Sequence, residues 1–304
     1  MLFYRPMQAH DREPAGRPTI LLHAGAGPLG AELREHGQEA TDTLHEVLRA
    51  AGRRLEAGEE ADAVATHAVE ELEDCGLFNA GYGAALCSDG SVEHSAAVMR
   101  GFDRAAGGVA GLRTVRHPIR AAALVLETDQ VLMIGERAEQ LAFDRGAERW
   151  ENADFITDRQ RARRRASQEP EDRGTVGAVC LDLRCHLAAA TSTGGISGQP
   201  PGRVGDSPMI GAGTWADQRV AVSCTGDGEA FIRVGVARWI AAQLAQGAPI
   251  ERATQQALEE VGGLGGTGGL IALDRAGRAA LPFTTEAMPR GIWRSGRPPE
   301  VKLA

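Results

Sequence analysis

The chain has 304 residues, 43% of them apolar, and a net charge of −8. That length allows one large or two ordinary domains around a sizeable core, and the acidic balance argues against a protein that binds nucleic acid or acidic membranes as a whole. Five cysteines, Cys75, Cys87, Cys180, Cys185 and Cys224, lack any CxxC spacing, which speaks against a zinc site or a disulfide framework and for a reducing, cytoplasmic setting.

Residues 1–16 are polar and contain no apolar stretch of the kind a secretory leader needs. No uninterrupted apolar run is long enough to cross a bilayer. RPTILLHAGAG (17–27) reads as a buried strand entering a glycine turn. Residues 38–57 form a predicted helix with Leu44, Val47, Leu48 and Leu55 on one face; residues 61–73 form a second, with Ala61, Val64, Ala68 and Leu72 facing inward. CGLFNAGYGAAL (75–86) is a glycine-punctuated loop, followed by strands near 92–98 and 107–115. Pro118 opens a helix over 118–127, then come a short strand at 131–135 and a helix at 136–145. Residues 157–173 carry almost no apolar side chains and read as an exposed linker. Strands are predicted at 175–183, 186–193 and 220–224, helices at 228–246 and 251–261, and closing strands at 268–274 and 279–283. Strands clustered in each half with helices between them fit an α+β layered sandwich better than strict βαβ alternation.

Several local signals stay weak. GAGPLG (25–30) matches the dinucleotide fingerprint, but 20 residues on, where a strand-end acid belongs, lies a helix interior around His45 and Glu46. RQRARRR (159–165) reads as a solvated charge run. His23, alone at a strand end, fits a structural histidine. GGLGGTGG (262–269) could cradle an anion or simply turn the chain twice. Asn79 could be a turn residue or could point its amide into a site.

Four stretches of the second half stand out together: RGTVGAV (173–179), TSTGG (191–195), PGRVGDS (201–207) and SCTGDGE (223–229). Each places hydroxyl, charged or glycine residues at the end of an apolar strand. Turn formation explains any one of them and explains all four poorly. No Ser-His-Asp or Cys-His set accompanies them, and a threonine hydroxyl needs a base to become a nucleophile. An α-amino group, with a reference pKa of about 7.7–8.0, would serve. It exists at Thr175 only if the Gly174–Thr175 bond is broken.

On these motifs, together with LLHAGAG, LFNAGYGA, VLMIGERAEQLAF and GGLIALDRAGRAALPFTTEAM, nearly the whole chain resembles the plant-type asparaginase and isoaspartyl peptidase family of N-terminal nucleophile hydrolases. Related glycosylasparaginases usually differ within TSTGG, and threonine-aspartase relatives differ at the Asp of GRVGD. The resemblance implies a single four-layer αββα sandwich, autocleaved into a chain of residues 1–174 and one of 175–304, and assembled as (αβ)2. It implies Thr175 as nucleophile after attack on the Gly174 carbonyl, Thr193 orienting it, Thr225 and Gly226 as oxyanion hole, and Asn79 supporting the surroundings. Substrate contacts would run over Arg203, Val204, Gly205, Asp206, Thr225, Gly226, Asp227 and Gly228. Arg203 would take an α-carboxylate, and Asp206 an α-ammonium with help from the Gly228 carbonyl. The implied substrates are asparagine or an isoaspartyl dipeptide. No cofactor is implied for catalysis; a structural sodium ion would sit on the main-chain carbonyls of Leu72, Glu73, Cys75, Phe78, Ala80 and Tyr82. Ala24, Ser95 and Arg100 stand where the family usually has Gly, Asp and Asp, and the segment between 150 and 174 is short, which bears on substrate preference and maturation rate. The rival expectations are glycosylasparaginase activity on the same scaffold and an uncleaved relative that binds amino acids or peptides without turnover.

Overall fold

A computed structural model describes residues 17–28, 36–166 and 174–304, without the side chains of 163–166. In chain order it contains β1 (Thr19–Ala24), α1 (Gly37–Glu56), α2 (Ala61–Asp74), β2 (His94–Arg100), β3 (Ala106–Leu112), α3 (Pro118–Leu126), β4 (Leu132–Ile134), α4 (Gly135–Asp144), a 3₁₀ turn (Asn152–Phe155) and α5 (Asp158–Ala166). The second half adds β5 (Val176–Leu181), β6 (Leu187–Thr193), β7 (Thr214–Ala216), β8 (Val220–Gly226), α6 (Gly228–Val234), α7 (Val236–Ala245), α8 (Ile250–Gly263), β9 (Gly268–Asp274), β10 (Ala279–Ala280), β11 (Arg290–Arg294) and β12 (Glu300–Lys302). Eight strands form one sheet in the order β12-β11-β1-β5-β6-β2-β3-β4, and four form a second, β10-β9-β8-β7. Only β3–β4 pairs in parallel among them.

The period-2 alternation of the strands explains the layering. In β1, Ile20 and Leu22 face a core shared with α1, α2 and α3, whereas Leu21 faces the other sheet. In β5, Ala178 and Cys180 face the helices and Val179 and Leu181 the second sheet. In β8, Val222 and Cys224 pack on α7 and α8, and Ala221 points back between the sheets with Ile271 and Leu273 of β9. The result is the α+β, αββα sandwich expected from the sequence: two sheets face to face, each covered outside by helices.

Three expectations need correction. The predicted helix 228–246 is two helices, because Gly235 at φ 67° leaves the right-handed region and turns the chain. The exposed linker 157–173 begins as α5, whose Gln160 is buried and donates Nε2–H to the Gly83 carbonyl at 2.6 Å; the linker beyond 166 lies outside the described residues until Gly174, as do the last two residues of GAGPLG. The closing strand 279–283 shortens to Ala279–Ala280, since Pro282 offers no N–H to the ladder and contributes only its carbonyl, to Leu270 N–H. Strands β7, β11 and β12 carried too few apolar residues to be read from sequence. Among the described residues, no helix is long and apolar enough to cross a membrane.

One core residue is costly. His94, at the start of β2, is fully buried against Phe155 at 4.5 Å, and neither ring nitrogen has a partner. Burial holds its pKa down to about 3. The unfolded chain takes up this proton near 6.5 while the folded one does not, so stability falls as pH drops from about 6.5 toward 3, by up to about 1.4 kcal/mol per pH unit. His94→Leu is expected to raise the melting temperature, and to raise it more at pH 5 than at pH 7; thermal denaturation of both chains across that range checks this.

Candidate active site

The inner faces of the strands change character along their length. Reading odd positions only, β1 runs Leu21 to His23, β5 runs Val179 to Gly177 and on to Thr175, β6 runs Ala189 to Thr191 to Thr193, and β8 runs Ala221 to Ser223 to Thr225. One end of the space between the sheets is therefore apolar and the other is lined with hydroxyls. Register sets who meets whom. Val176 pairs with Ser192, which places Thr175 across from Thr193; Ser95 pairs with Thr193 on the other side.

Thr175 and Thr193 are both buried, and Thr175 Oγ1–H donates to Thr193 Oγ1 at 3.1 Å. Thr193 Oγ1 also accepts from Gly195 N–H at 3.0 Å and donates to the Gly174 carbonyl at 3.2 Å. One donor and two acceptor positions use up what a hydroxyl has, so Thr193 is held in one orientation. The same Gly174 carbonyl receives Asn79 Nδ2–H at 2.8 Å. Asn79 is locked in turn: Nδ2 also donates to Gly195 O at 2.7 Å, and Oδ1 accepts from Ala85 N–H at 2.7 Å. Gly25, at φ 104°, lies so close to Gly174 that a Cβ there would come within 2.9 Å of its Cα. The peptide before Thr175 thus carries two hydrogen-bond donors on its oxygen and a threonine hydroxyl following it.

Thr225 is buried, and its Oγ1 accepts from Ala26 N–H at 3.3 Å, which leaves its own proton to donate. Gly226 sits at φ 144° against Thr267 O and Gly268, where a side chain has no room. Asp227 precedes α6 and accepts from Thr267 N–H and Oγ1–H at 2.7 and 3.1 Å. This ties GGLGGTGG to the end of β8, so the glycine-rich run is turn and packing surface for the site.

Arg203 and Asp206 lie across Gly228: a Cβ on Gly228 would be 3.0 Å from Arg203 Nη2 and 3.0 Å from Asp206 Oδ1. Gly205 is equally tight against Arg203 Nη1, and Val204 between them is half-buried. Asp206 is buried and its Oδ2 has no hydrogen-bond partner. Burial, against a weaker pull from Arg203, pushes its carboxyl up to about 7. Arg203 is held side-on by Glu229, Nε to Oε1 at 2.9 Å and Nη2 to Oε2 at 2.8 Å, with Nη1 reaching Gln199 Oε1 at 3.4 Å. Sequence reasoning missed Glu229 as a partner, although it stands at the end of SCTGDGE.

The loop of Leu72, Glu73, Cys75, Phe78, Ala80 and Tyr82 closes on itself. Leu72 O accepts from Cys75 Sγ–H at 3.2 Å, Glu73 O from Tyr82 N–H at 2.8 Å, and Phe78 O from Ala80 N–H at 2.9 Å. Each carbonyl keeps a second lone pair, and a donor set made only of oxygens suits a hard cation. The Glu73 carboxyl points away from this loop, accepting from Ser192 Oγ–H and Ile119 N–H. A cavity of about 550 Å³ lies elsewhere, on the helical side of the large sheet among Asp62, Glu70, His117 and Arg120, and none of the residues above lines it.

The family model described as Asparaginase matches residues 16–302. The isoaspartyl peptidase of Escherichia coli K12 is 44% identical, over 95% of this chain and 96% of its own length. The isoaspartyl peptidase of Salmonella typhimurium is 43% identical over 94% and 98%. The isoaspartyl peptidase/L-asparaginase of Mus musculus is 37% identical over 92% and 89%.

Asp206 gives a signed test. Its folded pKa lies above the unfolded value near 3.9, so the folded state gains from protonation below about 7 and carries a buried, underpaired charge above it. Asp206→Asn is expected to melt several degrees above the parent at pH 8, and the gap is expected to narrow to about a third by pH 5 and to close only near pH 4; calorimetry across that range measures it.

Proposed function

The chain belongs to the asparaginase family, and on that premise we propose that it is a threonine hydrolase of asparagine and isoaspartyl peptides that makes its own catalytic amino terminus at Thr175. The observation that carries the reading is the Gly174 carbonyl, which receives hydrogen bonds from Asn79 and Thr193 beside the Thr175 hydroxyl. Attack by Thr175 Oγ1 on that carbon turns the carbonyl oxygen into an oxyanion, and the two donors already face it. The Thr175 hydroxyl proton passes to Thr193 as Thr193 gives up its own, and the proton so released ends on the Thr175 nitrogen, which departs as the amine when the intermediate collapses. A Gly174 ester remains, which water hydrolyses. The products are a chain of residues 1–174 and one of 175–304.

The freed amine is then the base that the threonine lacked. It takes the Thr175 hydroxyl proton as Oγ1 attacks the side-chain carbonyl of the substrate. Thr225 Oγ1–H and Gly226 N–H stabilise the oxyanion, ammonia or the amino acid or peptide departs, and water clears the β-aspartyl ester. Arg203 takes the α-carboxylate through its planar fork. Asp206 takes the α-ammonium: its partnerless Oδ2 is an acceptor waiting for a donor, and an arriving cation pulls its pKa back down. The carbonyl loop around Leu72–Tyr82 would hold a structural sodium ion, stiffening the end of α2 and the approach to Asn79.

Five free thiols suit a reducing cytoplasm. The charge of −8 disfavours nucleic acid. Exposed Val131, Leu132 and Ile134 around edge strand β4 are surface of the kind that assembly into (αβ)2 would bury.

Thr175→Ala is expected to abolish both chain cleavage and hydrolysis, seen as one band on a denaturing gel and no ammonia from asparagine. Retained hydrolysis would remove Thr175 as nucleophile. Asn79→Ala is expected to slow cleavage by roughly 10²–10³-fold in a gel time course. Arg203→Ala is expected to raise KM for substrates with a free α-carboxylate and to leave carboxylate-blocked ones unaffected; equal losses on both would contradict the clamp.

A further inference from the structure

The run RQRARRR (159–165) opens with two residues that turn inward instead of facing solvent, Arg159 and Gln160. They belong to α5, a helix of nine residues, DRQRARRRA, that offers no apolar stripe to a core. Helices shorter than about 12–15 residues are marginal on their own, so polar contacts must hold this one. Thr157 is buried and caps it: Thr157 Oγ1 accepts from Gln160 N–H at 3.1 Å, and Thr157 O from Arg161 N–H at 3.1 Å. The side chains then reach out of the helix. Gln160, 2% exposed, donates Nε2–H to the Gly83 carbonyl at 2.6 Å, and Arg159 donates Nη2–H to the Gly76 carbonyl at 2.7 Å.

Those two carbonyls bracket the loop that carries Asn79. Gly76 sits at φ 72° and Gly83 at φ 101°, so both ends of the loop are glycine joints with no side chain of their own to fix them. The loop folds back on itself: a Cβ on Gly83 would lie 2.8 Å from Gly76 O and 3.2 Å from Phe78 O. Residues 155–160 supply the outside brace. Phe155 O accepts from Gly83 N–H at 3.0 Å, Gln160 takes the Gly83 carbonyl, and Arg159 takes that of Gly76. Thr157 Cγ2 stands 3.9 Å from where a Cβ on Gly76 would be. Asn79 meets the other half of the chain from this loop, its amide on Gly174 O and Gly195 O and its own carbonyl on Gly194 N–H at 3.1 Å. The stretch of chain from α5 to Gly174 is therefore tied to one loop at its start by Arg159 and Gln160, and at its end by Asn79.

We propose that Arg159 and Gln160 are positioning residues for the self-cleavage: α5 clasps the Gly76–Gly83 loop and so holds Asn79 Nδ2 on the Gly174 carbonyl while Thr175 attacks. The role rests on the cut at Gly174–Thr175. Neither side chain touches the reacting peptide; both act through Asn79. A donor to a developing oxyanion is worth most when it is fixed before the charge appears, and a misplacement of about 1 Å can cost about 10²-fold in rate. A loop hung on two glycine joints has the freedom for such a displacement, and the two hydrogen bonds from α5 remove it. The start of the linker thus helps to cut the bond at its end.

The test is the rate at which the full chain cuts itself, followed on denaturing gels from the time of synthesis. Gln160→Met, which keeps the length of the side chain and removes the donor, and Arg159→Met are each expected to slow cleavage about tenfold. Arg159→Lys, which keeps a cationic donor, is expected to stay within about threefold of the parent. In an Asn79→Ala background, Gln160→Met is expected to slow cleavage no further, because its effect passes through Asn79. A merely weakened fold would slow both backgrounds alike and would not be rescued by lysine. The Arg159 pair carries the test by itself where Gln160→Met fails to fold. A parent that cleaves, with the methionine variants at its rate, overturns the clasp and leaves self-cleavage standing. So does a Gln160→Met loss that multiplies with that of Asn79→Ala, or an Arg159→Lys chain as slow as Arg159→Met. A parent that never cleaves contradicts self-cleavage itself, and the clasp with it.

Discussion

The site depends on the register between β5 and β6. Val176 opposite Ser192 is what sets Thr175 against Thr193, and a slip of β5 by one residue would turn the Thr175 hydroxyl toward the helices and away from Thr193. Nothing in the pair itself enforces this. The register is held further down the same strands, where Val179, Leu181, Leu187 and Ala189 fill the space between the sheets and Ala178, Cys180, Ala188 and Ala190 pack beneath α2 and its neighbours. The apolar ends of the strands thereby decide the geometry of the polar ends.

Burial makes the polar end reactive. Thr193 spends its whole hydrogen-bonding capacity on Thr175, Gly174 and Gly195, and Asn79 spends its amide on Gly174, Gly195 and Ala85. Groups so committed do not have to reorganise as charge develops, which is where electrostatic catalysis gains most. Asp206 shows the opposite condition: a buried carboxyl left with an unpartnered oxygen, which burial raises toward neutrality. Full satisfaction around the Gly174–Thr175 peptide and a shortfall at Asp206 are the two states that the proposed nucleophile and a zwitterionic substrate would require.

Much of this was legible in the sequence because it follows the strand period. Thr175, Thr191, Thr193, Ser223 and Thr225 stand at odd positions of their strands and so share a face, while Ser192 turns to Glu73 on the other, and the strand-end glycines marked where backbone must come close. What escaped notice depended on pairing across distance. His23 looked like an isolated structural histidine, because its partner Ser223 is 200 positions away. Glu229 closes SCTGDGE with no local sign of a partner, because Arg203, which grips it, lies 26 positions away. Gly235 inside an otherwise continuous helical pattern and the buried Gln160 inside an otherwise charged run were each a single residue against a strong local trend. The assembly of the two-layer sheet is likewise absent from local pattern: β11 joins β1 from the far end of the chain.

The most direct test of the central claim is the intact mass of the purified protein under denaturing conditions, with amino-terminal sequencing of whatever fragments are present. The account predicts two fragments, one of them beginning Thr175-Val176-Gly177. A single chain that stays uncut on long incubation would contradict it, because the amine that makes Thr175 a nucleophile would never form.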